Sequence, residues 1–153
     1  MTEKIDEFHL AAWRAFLNAH AVVIDLIERD LAETDLLPLS SYDVLIELAE
    51  APDHRLRMHE LARAVVLSRS GLTRLVDRLE REGLLTRERA DTDRRGAYAV
   101  ITTQGLQAVR RTWPKYAQSI MRYFTSHLSD EETRILTTAL ERVFALACQE
   151  YPS

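Results

Sequence analysis

The stretch that decides the fold is Leu61-Ala62-Arg63-Ala64-Val65-Val66-Leu67-Ser68-Arg69-Ser70-Gly71-Leu72-Thr73-Arg74-Leu75-Val76-Asp77-Arg78-Leu79. Leu72, Leu75, Val76 and Leu79 recur at i, i+3, i+4 and i+7, the spacing of one buried helix face. Arg69, Ser70, Thr73, Arg74, Asp77 and Arg78 are left on the opposite face. Before them, small Ala62 lets two helices approach closely, Leu67 anchors a turn, and Ser68 caps the second helix. The pattern predicts a helix-turn-helix with helices over about 58–64 and 69–82. The second would present Arg and hydroxyl side chains near its N-terminal end, where a recognition helix enters the major groove. Arg pairs bidentately with guanine O6 and N7, and Ser or Thr bonds bases or phosphates. Val66 stands where such turns often carry glycine. A β-branched residue resists positive φ, so this turn is expected to be wound differently.

Downstream, Gly83 sits where a helix ends in the left-handed conformation. Leu84-Leu85-Thr86-Arg87-Glu88-Arg89 and Ala97-Tyr98-Ala99-Val100-Ile101 read as two strands. Asp91-Thr92-Asp93-Arg94-Arg95-Gly96 joins them as a hairpin tip. A two-stranded wing of this kind places a guanidinium in a narrow minor groove, so Arg94 and Arg95 are candidate contacts, with Asp91 or Asp93 to brace one of them.

Upstream, Ile5, Phe8, Ala12, Ala15, Phe16, Ala19, Val22, Val23 and Leu26 make one apolar stripe over 5–33, and Trp13, Leu17, Ile24, Ile27 and Leu31 a second. A helix apolar on two faces packs against its own domain and against something else. Ser40 is read as the cap of a helix over 41–50. In the last third, Leu106, Val109, Trp113, Tyr116, Ile120 and Phe124 form a stripe with a kink expected at Pro114. Ser129-Asp130-Glu131-Glu132 is a capping box opening a final helix that carries Ile135, Leu136, Ala139, Leu140, Val143 and Phe144. The fold class is therefore mainly α with a small β-hairpin: six helices, with the winged helix-turn-helix in the middle.

The net charge of the 153 residues is −4, which on its face argues against nucleic acid. The distribution reverses this. Residues 55–111 carry 13 Arg and no Lys against 7 acids (+6), and the remainder carries 7 basic residues against 17 acidic ones (−10). A basic middle between acidic ends is the footprint of a DNA-reading module on a separate scaffold.

Several chemistries are excluded. His59-Glu60 begins like a zinc-protease motif, but Arg63 stands where the second His should be. Asp91-Thr92-Asp93-Arg94-Arg95-Gly96 begins like a calcium loop, yet Arg95 replaces a ligand and Thr102 stands at the bidentate position. There is no Gly-rich phosphate loop, and the five His residues show no ligand spacing, so no metal, cofactor or catalytic set is expected. Cys148 is the single cysteine, which rules out an internal disulfide framework; no basic cluster adjoins it to lower its pKa. The polar start, Met1 to Glu7, is no signal peptide, and no apolar run approaches the roughly 18–20 residues of a membrane span. A cytoplasmic protein is expected.

The run Leu67 to Leu84, followed by Asp91-Thr92-Asp93-Arg94-Arg95-Gly96 and Ile101-Thr102-Thr103-Gln104-Gly105, resembles the MarR family of winged helix-turn-helix transcriptional regulators. The recognition helix and the wing are the specific parts of the match; the outer helices match in pattern. The resemblance implies one domain over 1–153, with a DNA-binding lobe over about 38–103 and dimerisation helices over about 5–34 and 104–149. It implies a homodimer reading a pseudo-palindromic operator, with Ser70, Thr73 and Arg74 on bases or phosphates and Arg94 and Arg95 in the wing. Outward Arg69 and Arg78 join these as candidate contacts to double-stranded DNA. It also implies a small aromatic or phenolic effector between scaffold and lobe, for which Trp13, His20, Tyr42, Trp113 and Tyr116 are the candidate lining; each also reads as an ordinary core or interface residue. The rival reading is a winged-helix protein-interaction module that never touches DNA. It would present an apolar or acidic recognition face, and Arg69, Arg74 and Arg78 argue against it.

Overall fold

The computed structural model describes residues 4–65, 69–89 and 96–150. Residues 66–68 and 90–95 lie outside them, and with them the expected turn and hairpin tip and the expectations for Val66, Asp91, Asp93, Arg94 and Arg95. Six α-helices run in the order α1 (Glu7–Glu33), α2 (Leu39–Glu50), α3 (Met58–Val65), α4 (Arg69–Arg81), α5 (Thr103–Tyr123) and α6 (Asp130–Glu150). Three strands, β1 (Arg55–Arg57), β2 (Leu85–Arg89) and β3 (Ala97–Ile101), form one antiparallel sheet in the order β1-β3-β2.

The sheet has one strand more than the sequence reading. In β1, Arg55, Leu56 and Arg57 pair with Val100, Ala99 and Tyr98 of β3. Three residues with a single apolar side chain give no alternation to read, and their partner lies some forty positions away.

Local signals set most helix ends. The Asp6 side chain accepts from the His9 backbone N–H at 2.9 Å and caps α1. Helix α4 ends in a Schellman arrangement around Gly83 (φ 76°): Leu84 N–H donates to Leu79 O at 2.9 Å and Gly83 N–H to Glu80 O at 3.0 Å. Ser129 and Glu132 form the expected reciprocal box at α6, at 2.8 and 3.2 Å. Helix α5 runs continuously through Pro114. One end departs from expectation. Helix α2 starts at Leu39 with Pro38 at the cap, and Ser40 lies inside its first turn. A side chain from elsewhere in the fold meets its first N–H: Glu28 of α1 accepts from Leu39 N–H, while Thr112 of α5 accepts from Leu37 N–H just before the helix, both at 3.3 Å.

The lobe core gathers Val44, Leu45, Leu48, Leu61, Leu72, Val76, Leu79, Leu85 and Ala99, each at most 2% exposed. A second, smaller core joins Ile27, Leu31 and Leu39 to Ile120 and Tyr123, and Tyr116 touches both. Between α1 and α5, the Asp30 carboxylate accepts from Ser119 Oγ at 2.6 Å and Tyr123 OH at 3.2 Å. The Ser119 hydroxyl first, then the Lys115 charge and the Tyr123 hydroxyl, hold its pKa below the ordinary carboxylate value.

The outer helices are barely covered. No residue of α6 is buried, and only Ile27 and Leu31 are buried in α1. Phe8, Trp13, Val22, Ile135, Val143, Phe144 and Leu146 are all more than half exposed. An 18-residue window of α1 reaches a mean hydropathy of 1.4, long and apolar enough to cross a membrane by length and composition, although Arg14, Asn18, His20 and Asp25 interrupt it. The expectation that no segment approaches that criterion is corrected in this respect.

Candidate nucleic-acid interface

Helix α4 buries Leu72, Leu75, Val76 and Leu79 against the lobe and leaves Thr73, Arg74, Asp77 and Arg78 exposed, as the spacing requires. Arg69 and Ser70 stand in the first turn of α4, the end of a helix whose dipole favours an anion such as a phosphate. Arg78 departs from a free contact. Its Nη2 donates to Ser41 Oγ at 3.1 Å, and Ser41 is 1% exposed, so this guanidinium ties α4 to the start of α2.

The root of the wing is fixed by charge. Arg87 in β2 donates through Nη2 to Asp77 at 2.6 Å and through Nη1 to Glu80 at 3.1 Å. Its backbone N–H donates to the other Glu80 oxygen at 2.7 Å. On the neighbouring strands, the guanidinium carbons of Arg55 and Arg57 lie 4.7 and 5.3 Å from the Tyr98 ring centroid, within cation–π range. Arg55 also reaches Glu88 at 3.9 Å.

Behind the lobe, Tyr42, Trp113 and Tyr116 form an aromatic trio at the junction of the two cores. Tyr42 stacks on Trp113 at 6.5 Å, and Tyr116 meets Tyr42 and Trp113 edge-on at 5.1 and 6.1 Å. Tyr42 is buried, Tyr116 half-buried and Trp113 exposed. Burial pushes both phenols up, with Asp43 adding to each and Glu28 to Tyr116. Asp43 is itself pushed up, first by burial and then by Glu28 and Glu47. Trp13 and His20 are not in this trio; they lie on α1, where Phe16 is 6.0 Å from the Trp13 ring and 6.1 Å from the His20 ring. Among the described residues no group of His, Cys, Asp and Glu could hold a metal ion.

A sequence profile of the MarR family matches residues 35–96, from the approach to α2 to the threshold of β3. The chain is 30% identical to the HTH-type transcriptional regulator MhqR of Bacillus subtilis over 94% of its own length and 93% of that protein's. Among solved structures it is similar to AbsC, a MarR family transcriptional regulator of Streptomyces coelicolor, with TM-score 0.87 and 32% identity over 95% of this chain and 98% of that one. Sco3205, a MarR family regulator from the same organism solved in complex with DNA, matches with TM-score 0.87 and 31% identity over 94% of this chain and 89% of that one. This chain belongs to the MarR family. It is a DNA-binding regulator of transcription.

Within the MarR fold, the sequence-predicted residues divide into groups. Thr73 and Arg74 share the exposed face of α4; Arg69 and Ser70 belong to the first turn of the same helix. Arg78 is on that face but engaged with Ser41. Of the five proposed ligand-lining residues, three converge and two sit apart on α1. Arg55, Arg57 and Arg87 were missed. The signal for Arg87 was available: Asp77 and Glu80 are acids one turn apart on a recognition face that otherwise carries Arg, and such acids need a cation. No comparable signal marks Arg55 and Arg57, whose place depends on β1.

Proposed function

We propose that the protein acts as a cytoplasmic homodimer that occludes a promoter by binding a pseudo-palindromic operator, and releases it when a small aromatic effector binds. The observation that carries this is the bare apolar surface of α1 and α6. A 21-residue helix with no buried residue makes only slight contact with its own chain, yet carries Ile135, Leu140, Val143, Phe144 and Leu146. Exposed apolar area of this extent marks an interface. A second copy covers it under two-fold symmetry, because one face then meets its own equivalent. The two α4 helices then enter successive major grooves, about 34–36 Å apart.

In this reading Arg69, Ser70, Thr73 and Arg74 contact bases or phosphates, Arg94 and Arg95 enter the minor groove, and Arg78 joins them from its tie to Ser41. The effector sits at Tyr42, Trp113 and Tyr116, with Trp13 and His20 as outer lining. Glu28, Asp43 and Glu47 lie close enough to act on one another or on the phenols, and this negative potential favours an uncharged phenol over a benzoate. The test is selection of duplexes from a random pool, then titration of the winner across salt. A two-fold symmetric site, a steep fall of affinity with salt, and a loss of about 1–3 kcal/mol in Arg74→Ala are expected. Failure to enrich any duplex overturns the reading.

A further inference from the structure

Asp77 and Glu80 put two carboxylates on the face of α4 that meets DNA, where they repel phosphate. Both are engaged by one residue of another element. Arg87 spans them with separate guanidinium nitrogens, at 2.6 and 3.1 Å, while its own backbone N–H takes the second oxygen of Glu80 at 2.7 Å. The Arg87 side chain is 27% exposed, against 50% and 39% for its partners. Isolated surface ion pairs contribute little, but a fork held at both prongs by acids one turn apart is the geometry in which such pairs matter. Residue 87 lies in the strand that leads directly into the hairpin tip. The brace therefore joins the recognition helix to the base of the wing.

We infer that the Asp77–Arg87–Glu80 bridge sets the angle between recognition helix and wing, and so tunes sequence discrimination rather than overall DNA affinity. Arg87 is a positioning residue here, and its two acids are retained on a DNA-facing surface for that purpose. The inference rests on the operator-binding reading. It also makes an unusual prediction about sign. Neutralising the acids removes negative charge beside the phosphates, which strengthens sequence-independent binding. Freeing the wing misplaces its contacts, which weakens binding to the preferred site alone.

The experiment uses the full-length protein, the duplex that the wild type enriches from a random pool, and a scrambled duplex of equal length. In Asp77→Asn/Glu80→Gln, affinity for the scrambled duplex should rise or hold while affinity for the selected duplex falls. The ratio between them should shrink about tenfold, comparable to the cost of one mismatched base pair. Arg87→Lys should behave likewise, since an ammonium cannot span both acids as a fork. Circular dichroism confirms that each variant is folded. If affinity rises on both duplexes with the ratio unchanged, the acids act as charge alone and the inference fails. If both affinities fall together in folded variants, the bridge is a general structural support and the inference also fails. If the wild type enriches no duplex, the operator-binding reading falls first, and this one with it.

Discussion

Truncating Phe144 to alanine tests what covers α6. Phe144 is 55% exposed in the single chain, so a partner has about half of it left to bury. Full burial of a Phe side chain stabilises by about 1.5–3 kcal/mol, which leaves about 1–1.5 kcal/mol for the partner to supply. Two-fold symmetry places the substitution twice in each dimer, for a total of about 2–3 kcal/mol. At about 1.4 kcal/mol per tenfold, the dimer dissociation constant should rise about 30- to 150-fold.

Sedimentation equilibrium across a concentration range that brackets the wild-type constant reads this directly. Helix content by circular dichroism should be unchanged, because an exposed side chain of an isolated chain contributes little to its fold. Glu141→Ala, less than one turn away on the same exposed helix, is the control and should leave association within a few-fold of wild type. A wild-type protein that stays monomeric at micromolar concentration, or a Phe144→Ala dimer as tight as wild type, would refute the reasoning, since the bare face would then have some other cover.

Two further predictions concern the single chain. Gly105→Ala should destabilise by about 1–3 kcal/mol, because an added Cβ would sit 2.7 Å from Ile101 Cγ1 and closer still to the Leu84 carbonyl oxygen. At about 2–4 °C per kcal/mol, the thermal midpoint measured at fixed protein concentration should fall by roughly 2–12 °C; an unchanged midpoint would mean the first turn of α5 relaxes freely. Asp43→Asn should stabilise at neutral pH. Burial and Glu28 push the Asp43 pKa up, so the folded state holds its proton more tightly and wild-type stability falls as pH rises through that raised value. The gain of the variant, followed by denaturant melts from pH 7 downward, should vanish once the pH drops below the ordinary carboxylate range; a gain that persists in acid would assign it to something other than ionisation.

Features encoded within one or two turns of helix were legible in the sequence. The Leu72, Leu75, Val76 and Leu79 stripe, the Gly83 terminus and the Ser129–Glu132 box depend on residues at most seven positions apart, and each is found where the spacing puts it. The features that were not legible join distant positions. The first N–H of α2 is met by Glu28 and the residue before its cap by Thr112, so no local reading of Ser40 could find them. Strand β1 exists because β3 offers it an edge, and the Asp30–Ser119 bond spans 89 residues. Arg78 illustrates the same limit at the candidate site. Periodicity correctly places it on the outward face, but its partner Ser41 belongs to a helix 37 residues earlier.

That long-range partner bears on how an effector would reach the DNA. The segment from Leu37 to Ser41 is held from three directions: by Thr112 of α5 at Leu37 N–H, by Glu28 of α1 at Leu39 N–H, and by Arg78 of α4 at Ser41 Oγ. Tyr42, the next residue, stacks on Trp113 and meets Tyr116. The scaffold helices and the recognition helix therefore meet at one short stretch beside the aromatic trio. On the proposed reading, a ligand that displaces Tyr42 together with the first turn of α2 would also disturb Ser41 and its tie to Arg78. Close packing makes such a displacement discrete, since Val44, Leu45 and Leu48 on the same helix are fully buried and resist gradual sliding. Coupling between two sites needs an element that both of them bias. Helix α2 meets that condition through contacts at its first turn, with no need for the wing to take part.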